Sequence, residues 1–308
     1  RQSEVLQRAT RGKGIDLVLM GDAFTDIDIE TGFYKEVMEL AMKSLFEPEP
    51  MKSYRDYFTV HLVYAVSKKR QLSETRSDCA LRTIMKDGKV EDYTYAPSQY
   101  ASRLGIASKN RFISIILNGW DSGFTHLYFD ELYETYAYCG FPYGGGFRFP
   151  GRVQHESVGH GLGLLGDEYV QEENPDMIPE SEKERLRACH DWGVYWNVSE
   201  TNDPAAVAWS HLIGHPRYPR VGMYEGGYYH NRGVWRSEPG GIMVRSMSGY
   251  FSTFCRELIV RRIMELSGEE YTFEKFLERD VPPAPELYHA PAATDYVHLP
   301  PIINGGRP

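Results

Sequence analysis

Three short apolar runs constrain the fold more than any other feature. Ile15 to Met20 reads IDLVLM, Phe58 to Val66 reads FTVHLVYAV, and Phe112 to Leu117 reads FISIIL. Each is rich in β-branched residues and nearly continuous in hydrophobicity rather than alternating. A strand of that kind is covered on both faces, as parallel strands in α/β sheets are. Between the first two runs, Phe33, Val37, Leu40, Ala41 and Leu45 recur at helical spacing and predict a helix over 33–46. The front half therefore reads strand, helix, strand, a longer polar excursion, then strand. That order predicts an α/β fold with an open, mostly parallel twisted sheet. Further helices are expected over about 152–165 and 254–266. The stretch Tyr138 to Pro150 is rich in glycine and aromatics, and 204–241 reads as irregular. Acid-rich Glu172 to Glu184 reads as a solvated loop and helix face. Prolines 282, 283, 285, 291, 300, 301 and 308 predict an extended strap, dividing the chain into 1–275 and 276–308.

Composition excludes some partners. A net charge of -9 argues against a nucleic-acid binder, which needs a basic face to neutralise phosphates. No apolar stretch of about 18 residues exists, so no membrane span is expected. A chain opening at Arg1, with neither Met nor signal peptide, reads as a piece of something longer. Cys79, Cys139, Cys189 and Cys255 form no C-x-x-C pair, which argues against a cysteine-based zinc site. Disulfides and free buried thiols both remain open.

The chemistry concentrates in Gln154 to Tyr169, QHESVGHGLGLLGDEY, on and just after an expected helix. In the zinc-peptidase pattern H-E-x-x-H, two histidines at i and i+4 share a helix face and bind the metal. The glutamate after the first serves as general base. Here the histidines, His155 and His160, are five apart. On an ideal α-helix, residues five apart differ by roughly 140° and cannot hold one ion. A residue looped out as a π-bulge would restore a common face, and Gly159 tolerates such a backbone. H-E-x-x-G-H resembles the zinc motif of dipeptidyl-peptidase III. Pairing Glu156 with His160 is the alternative, but it removes the carboxylate next to the ligand.

A catalytic zinc site needs a third ligand and an open position. Metzincins place a glycine three residues after the second histidine and the third ligand six after. Here Gly163 fits the first position, but the second is Gly166, which has no side chain. Asp167 is the favoured third ligand if the chain turns at Gly163 or Gly166, and Glu168 is the alternative. Gly240-Gly241-Ile242-Met243 resembles the metzincin Met-turn, an apolar floor beneath the metal.

With these pieces in place, the chain resembles the IgA peptidase family of bacterial zinc metallopeptidases over roughly residues 14 to 268. DLVLMGDAFT, YGGGF, HESVGHGLGLLGDEY, YEGGYYHNRGVWR and GIMVRSMSG carry the resemblance. Family members commonly carry H-E-x-G-H, one residue shorter than the segment here. The resemblance implies a secreted, metzincin-like catalytic domain acting on an extracellular protein or glycoprotein, without implying that the substrate is IgA. A monomer is expected.

The expected chemistry is zinc on His155, His160 and Asp167, with Glu156 as general base. Tyr228, Tyr229 and His230 are candidates to stabilise the oxyanion. Gly144, Gly145 and Gly146 offer backbone for strand addition by an extended substrate. His61, His126, His190, His211, His215, His289 and His298 lack ligand spacing and are read as structural. Two rivals stand: a catalytically silent glycan- or glycoprotein-binding protein of the same fold, and a zinc hydrolase of non-peptide amides.

Overall fold

The computed structural model describes residues 3–72, 78–86, 89–91, 95–106, 111–129, 134–144, 146–289 and 299–304. Gly145, Pro291, His298 and Pro308 lie outside the described residues.

In chain order the elements begin with β1 (Ser3–Gln7), β2 (Ile15–Asp22), α1 (Asp26–Glu30), α2 (Phe33–Leu45) and β3 (Phe58–Val63). The small ribbon β4 (Ile84–Lys86) and β5 (Lys89–Glu91) and helix α3 (Ala96–Arg103) fill the excursion. Then come β6 (Arg111–Asn118), β7 (Gly123–Tyr128), β8 (Glu134–Phe141) and α4 (Phe149–Val153). Helix α5 (Glu180–Asp191) and strands β9 (Val198–Ser199), β10 (Tyr224–Gly227) and β11 (His230–Arg236) follow. Helices α6 (Thr253–Ser267) and α7 (Phe273–Arg279) and strand β12 (Ile302–Asn304) complete the described chain.

The central sheet has the order β1-β3-β2-β6-β8-β7-β12. Its interior pairs β3-β2, β2-β6 and β6-β8 are parallel, while β1 and β7 run antiparallel to their inner neighbours. This is a mixed α/β molecule with a mostly parallel sheet. The three apolar runs are β2, β3 and β6, and every residue of β6 is buried.

Two apolar layers explain the continuous hydrophobicity. On one face Leu17, Leu19, Val60, Leu62 and Ile116 pack with α2, α6 and Val158 and Leu162 of the site helix. On the other, Val18, Met20, Ile113, Ile115 and Leu117 pack with Ala101 of α3 and with Phe124, Tyr136 and Tyr138 of β7 and β8. Helix α2 buries Tyr34, Val37, Met38, Ala41, Met42 and Leu45, whereas Leu40, expected on that face, is exposed.

Several expectations need correcting. Tyr138 to Phe141, the start of the glycine- and aromatic-rich stretch, lie in strand β8, which like β7 is fully buried. The segment expected to be irregular contains the antiparallel pair β10-β11, with β9 on its far side. The 275/276 division falls inside α7, where Phe276 is fully buried, and Asp280 just beyond it bonds Arg256 twice, at 2.7 and 2.9 Å. Part of the proline-rich tail joins the sheet, because β12 pairs in parallel with β7. All four cysteines are free and buried. Among the described residues no helix is long and apolar enough to cross a membrane.

Candidate metal centre

Helix α4 runs without a break into a π-helix over Gln154–Leu162, buried throughout. A π-helix bonds i to i+5, so side chains five apart come onto one face. Gly163 N bonds Val158 O at 2.8 Å in this manner. The sheet helps hold this winding. The Ser114 hydroxyl on β6 meets that of Ser157 at 2.8 Å, and Thr135 on β8 donates to Gly161 O at 2.9 Å. On β7 the Thr125 hydroxyl lies 3.1 Å from Glu156 O and 2.9 Å from Glu156 Oε2.

The chain then reverses. Leu164 takes a left-handed conformation, φ 53°, and Gly166 packs where a Cβ would meet the Tyr195 ring at 3.0 Å. That contact accounts for the glycine at the position where a third ligand was first sought. The reversal returns Asp167 to the helix. His155 Nε2 lies 3.0 Å from Asp167 Oδ1, His160 Nε2 lies 3.2 Å from the same oxygen, and the two Nε2 atoms are 3.1 Å apart. All three side chains are fully buried. Glu168 is not part of this group: its Oε1 accepts from Asn197 Nδ2 at 3.0 Å and from the Cys255 thiol at 3.3 Å.

The tautomers follow from the outer partners. His155 Nδ1 meets Ile242 O at 3.0 Å and His160 Nδ1 meets Leu165 O at 2.7 Å. A carbonyl only accepts, so each Nδ1 carries the hydrogen. In the neutral rings both Nε2 lone pairs then face one another and a carboxylate oxygen, an arrangement that demands a cation or an extra proton between them. Burial opposes charge on His160, but the neighbouring Asp167 carboxylate raises its pKa. Burial would also raise Asp167, yet the His160 charge and bonds from both histidines hold it well below the usual carboxylate range.

Zinc fits this donor set. With ligands at about 2.0–2.1 Å, tetrahedral sites place donor atoms about 3.3 Å apart, close to the three separations above. Two imidazoles whose far nitrogens are fixed by backbone carbonyls are also the usual supported form of histidine ligation. All three donor residues are buried, and their donor atoms lie within 4.8 Å of one another. Met243 packs against the helix beside His160: a Cβ on Gly159 would come 2.4 Å from its sulfur.

Tyr229 and His230 are placed differently from the expected oxyanion role. The Tyr229 hydroxyl donates to Asp167 Oδ2 at 2.6 Å, so it steadies the carboxylate. Burial, then the Asp167 charge, pushes its pKa well above the usual phenol value, keeping it a donor. Tyr228 and Tyr229 form the two-residue loop between β10 and β11 with φ 44° and 72°. Two positive φ values are what a type I′ hairpin needs, usually supplied by Asn-Gly, and bulky residues there are strained. His230 is not brought to the group: its ring nitrogens meet Pro175 O at 2.7 Å and Glu182 Oε2 at 3.0 Å. Tyr169 was not singled out by the sequence, yet its ring lies 6.4 Å from that of His155 and 5.4 Å from that of Tyr229.

No protein-family model matches the sequence, and comparison with curated proteins gives no match.

Proposed function

We propose that this chain is a zinc-dependent peptidase, related to the IgA peptidase family, that hydrolyses peptide bonds of an extracellular protein or glycoprotein. One observation carries the reading: two imidazole lone pairs and a carboxylate oxygen converge within 3.0–3.2 Å in a buried pocket of charge, one residue from Glu156. His155 Nε2, His160 Nε2 and Asp167 Oδ1 would hold the ion. When bound, zinc supplies Lewis acidity that brings the pKa of a water toward neutrality.

The protein's own part is orientation and proton transfer. Glu156 follows the first histidine, and the Thr125 hydroxyl at 2.9 Å fixes one carboxylate oxygen. The other, Oε1, lies 2.9 Å from where a Cβ on Gly123 would stand, so the glycine makes room for it beside β7. Glu156 takes the proton from the attacking water and returns it to the leaving amine. Tyr229 and the two backbone carbonyls hold the ligands in place meanwhile.

Full burial of the donor group favours a second reading, in which the metal ties the molecule together and the protein binds glycans or glycoproteins without turnover. Glu156→Ala separates the two. The peptidase reading predicts that wild type and variant both carry zinc near one equivalent, while casein or mucin cleavage falls by about 10²–10⁴-fold in the variant. Zinc in both with no cleavage by wild type would favour the silent binder.

A further inference from the structure

We propose that Asn197 is the positioning residue that presents Asp167 to the histidine pair; this rests on reading His155, His160 and Asp167 as a metal site. Asn197 is fully buried and uses its whole amide on one turn. Its Oδ1 accepts from Gly166 N at 2.7 Å, and its Nδ2 donates to Gly166 O at 2.9 Å and to Glu168 Oε1 at 3.0 Å. The amide orientation is fixed by these partners, since the opposite one would set its NH₂ against Gly166 N–H.

The residues clamped are the two flanking Asp167. Between them the chain is paired on both sides as a strand would be: Glu168 N donates to Met243 O and Tyr228 N donates to Asp167 O, each at 2.9 Å. Neighbouring side chains on such a segment point opposite ways. Tying Glu168 to Asn197 and Cys255 therefore turns Asp167 toward the histidines. The clamp is itself anchored. Tyr195 N bonds Leu164 O at 2.9 Å, and β9, which begins at Val198 directly after Asn197, pairs with β11. So Asn197 links the reversal after the π-helix to the small sheet that delivers Tyr229.

Zinc affinity tests this, by competition with a chelator of known strength. Asn197→Ala should weaken zinc binding about 10–100-fold, the usual cost of losing a supporting contact. It should also change the visible spectrum of the cobalt(II)-substituted protein, which reports ligand geometry. Asp280→Asn, which disturbs a buried ion pair elsewhere, should lower Tm but leave zinc affinity within twofold. Asn197→Ser cannot span Gly166 and Glu168 and serves if the alanine variant fails to fold. Zinc affinity and cobalt spectrum unchanged in the Asn197 variant would overturn the proposal alone. A wild type that binds no zinc would overturn the metal-site reading, and the proposal with it.

Discussion

A Cβ on Gly159 would stand 2.4 Å from the Met243 sulfur and 3.7 Å from the Phe251 ring, so a single methyl must displace Met243. Gly159→Ala is expected to cost about 1–3 kcal/mol, the range for overpacking a close-packed core, read as a lower urea midpoint with unchanged slope. An unchanged midpoint would mean that Met243 is free to move. At this scale the sequence was partly legible. The five-residue histidine spacing demanded an unusual winding, and a glycine beside His160 could supply it. Asp167 and Met243 could be reached by counting along the chain. Asn197 could not, because an amide that clamps backbone leaves no spacing pattern. Tyr229 was noticed for its nearness to the Met-turn, but its role depends on a hairpin loop whose two positions are tyrosines rather than the usual Asn-Gly. His230 shared that position in sequence and faces other partners.

Elements were legible where packing is uniform and hidden where it is mixed. β2 and β6 are largely aliphatic and covered on both faces, so their pattern is plain, and β3 shares it except at half-buried Thr59 and His61. β7 and β8 are equally buried, yet read GFTHLY and ETYAYCGF, where aromatic, small and polar residues break the run. Their polar members have work to do: Thr125 and Thr135 bond the site helix, and Glu134 pairs with Arg111 at 3.0 Å. The 275/276 division cuts helix α7 for a similar reason. Asp280 looks like a surface acid but is buried against Arg256 and also accepts from the Tyr218 hydroxyl at 2.9 Å. Asp280→Ala strands a buried guanidinium and is expected to cost about 3–5 kcal/mol in chemical denaturation. A loss under 1 kcal/mol would show that α7 and the residues after it are dispensable to the core.

Over the whole molecule, the sheet separates two apolar layers, and the site helix lies in one of them beside α2 and α6. His126 on β7 is buried among Phe124, Tyr128 and Tyr138, and burial pushes its pKa down to about 4. Burial lowers His190 as well. Unfolded histidine takes a proton near pH 6.5, while folded His126 resists until about pH 4. The neutral ring therefore contributes stability that is present above pH 6.5 and lost as pH falls toward 4, roughly 3 kcal/mol for His126. His126→Gln should flatten that part of the profile, and equal slopes in wild type and variant would contradict it. The candidate metal centre belongs to this scale too, since the group His155, His160 and Asp167 joins the π-helix to the reversal carrying Asp167 and, through Tyr229, to the β10-β11 hairpin. Its most direct test is the zinc content of purified wild type and His160→Ala after equilibration with equimolar zinc. The account predicts close to one equivalent in wild type and almost none in the variant. No zinc in wild type, or full occupancy retained in His160→Ala, would contradict it.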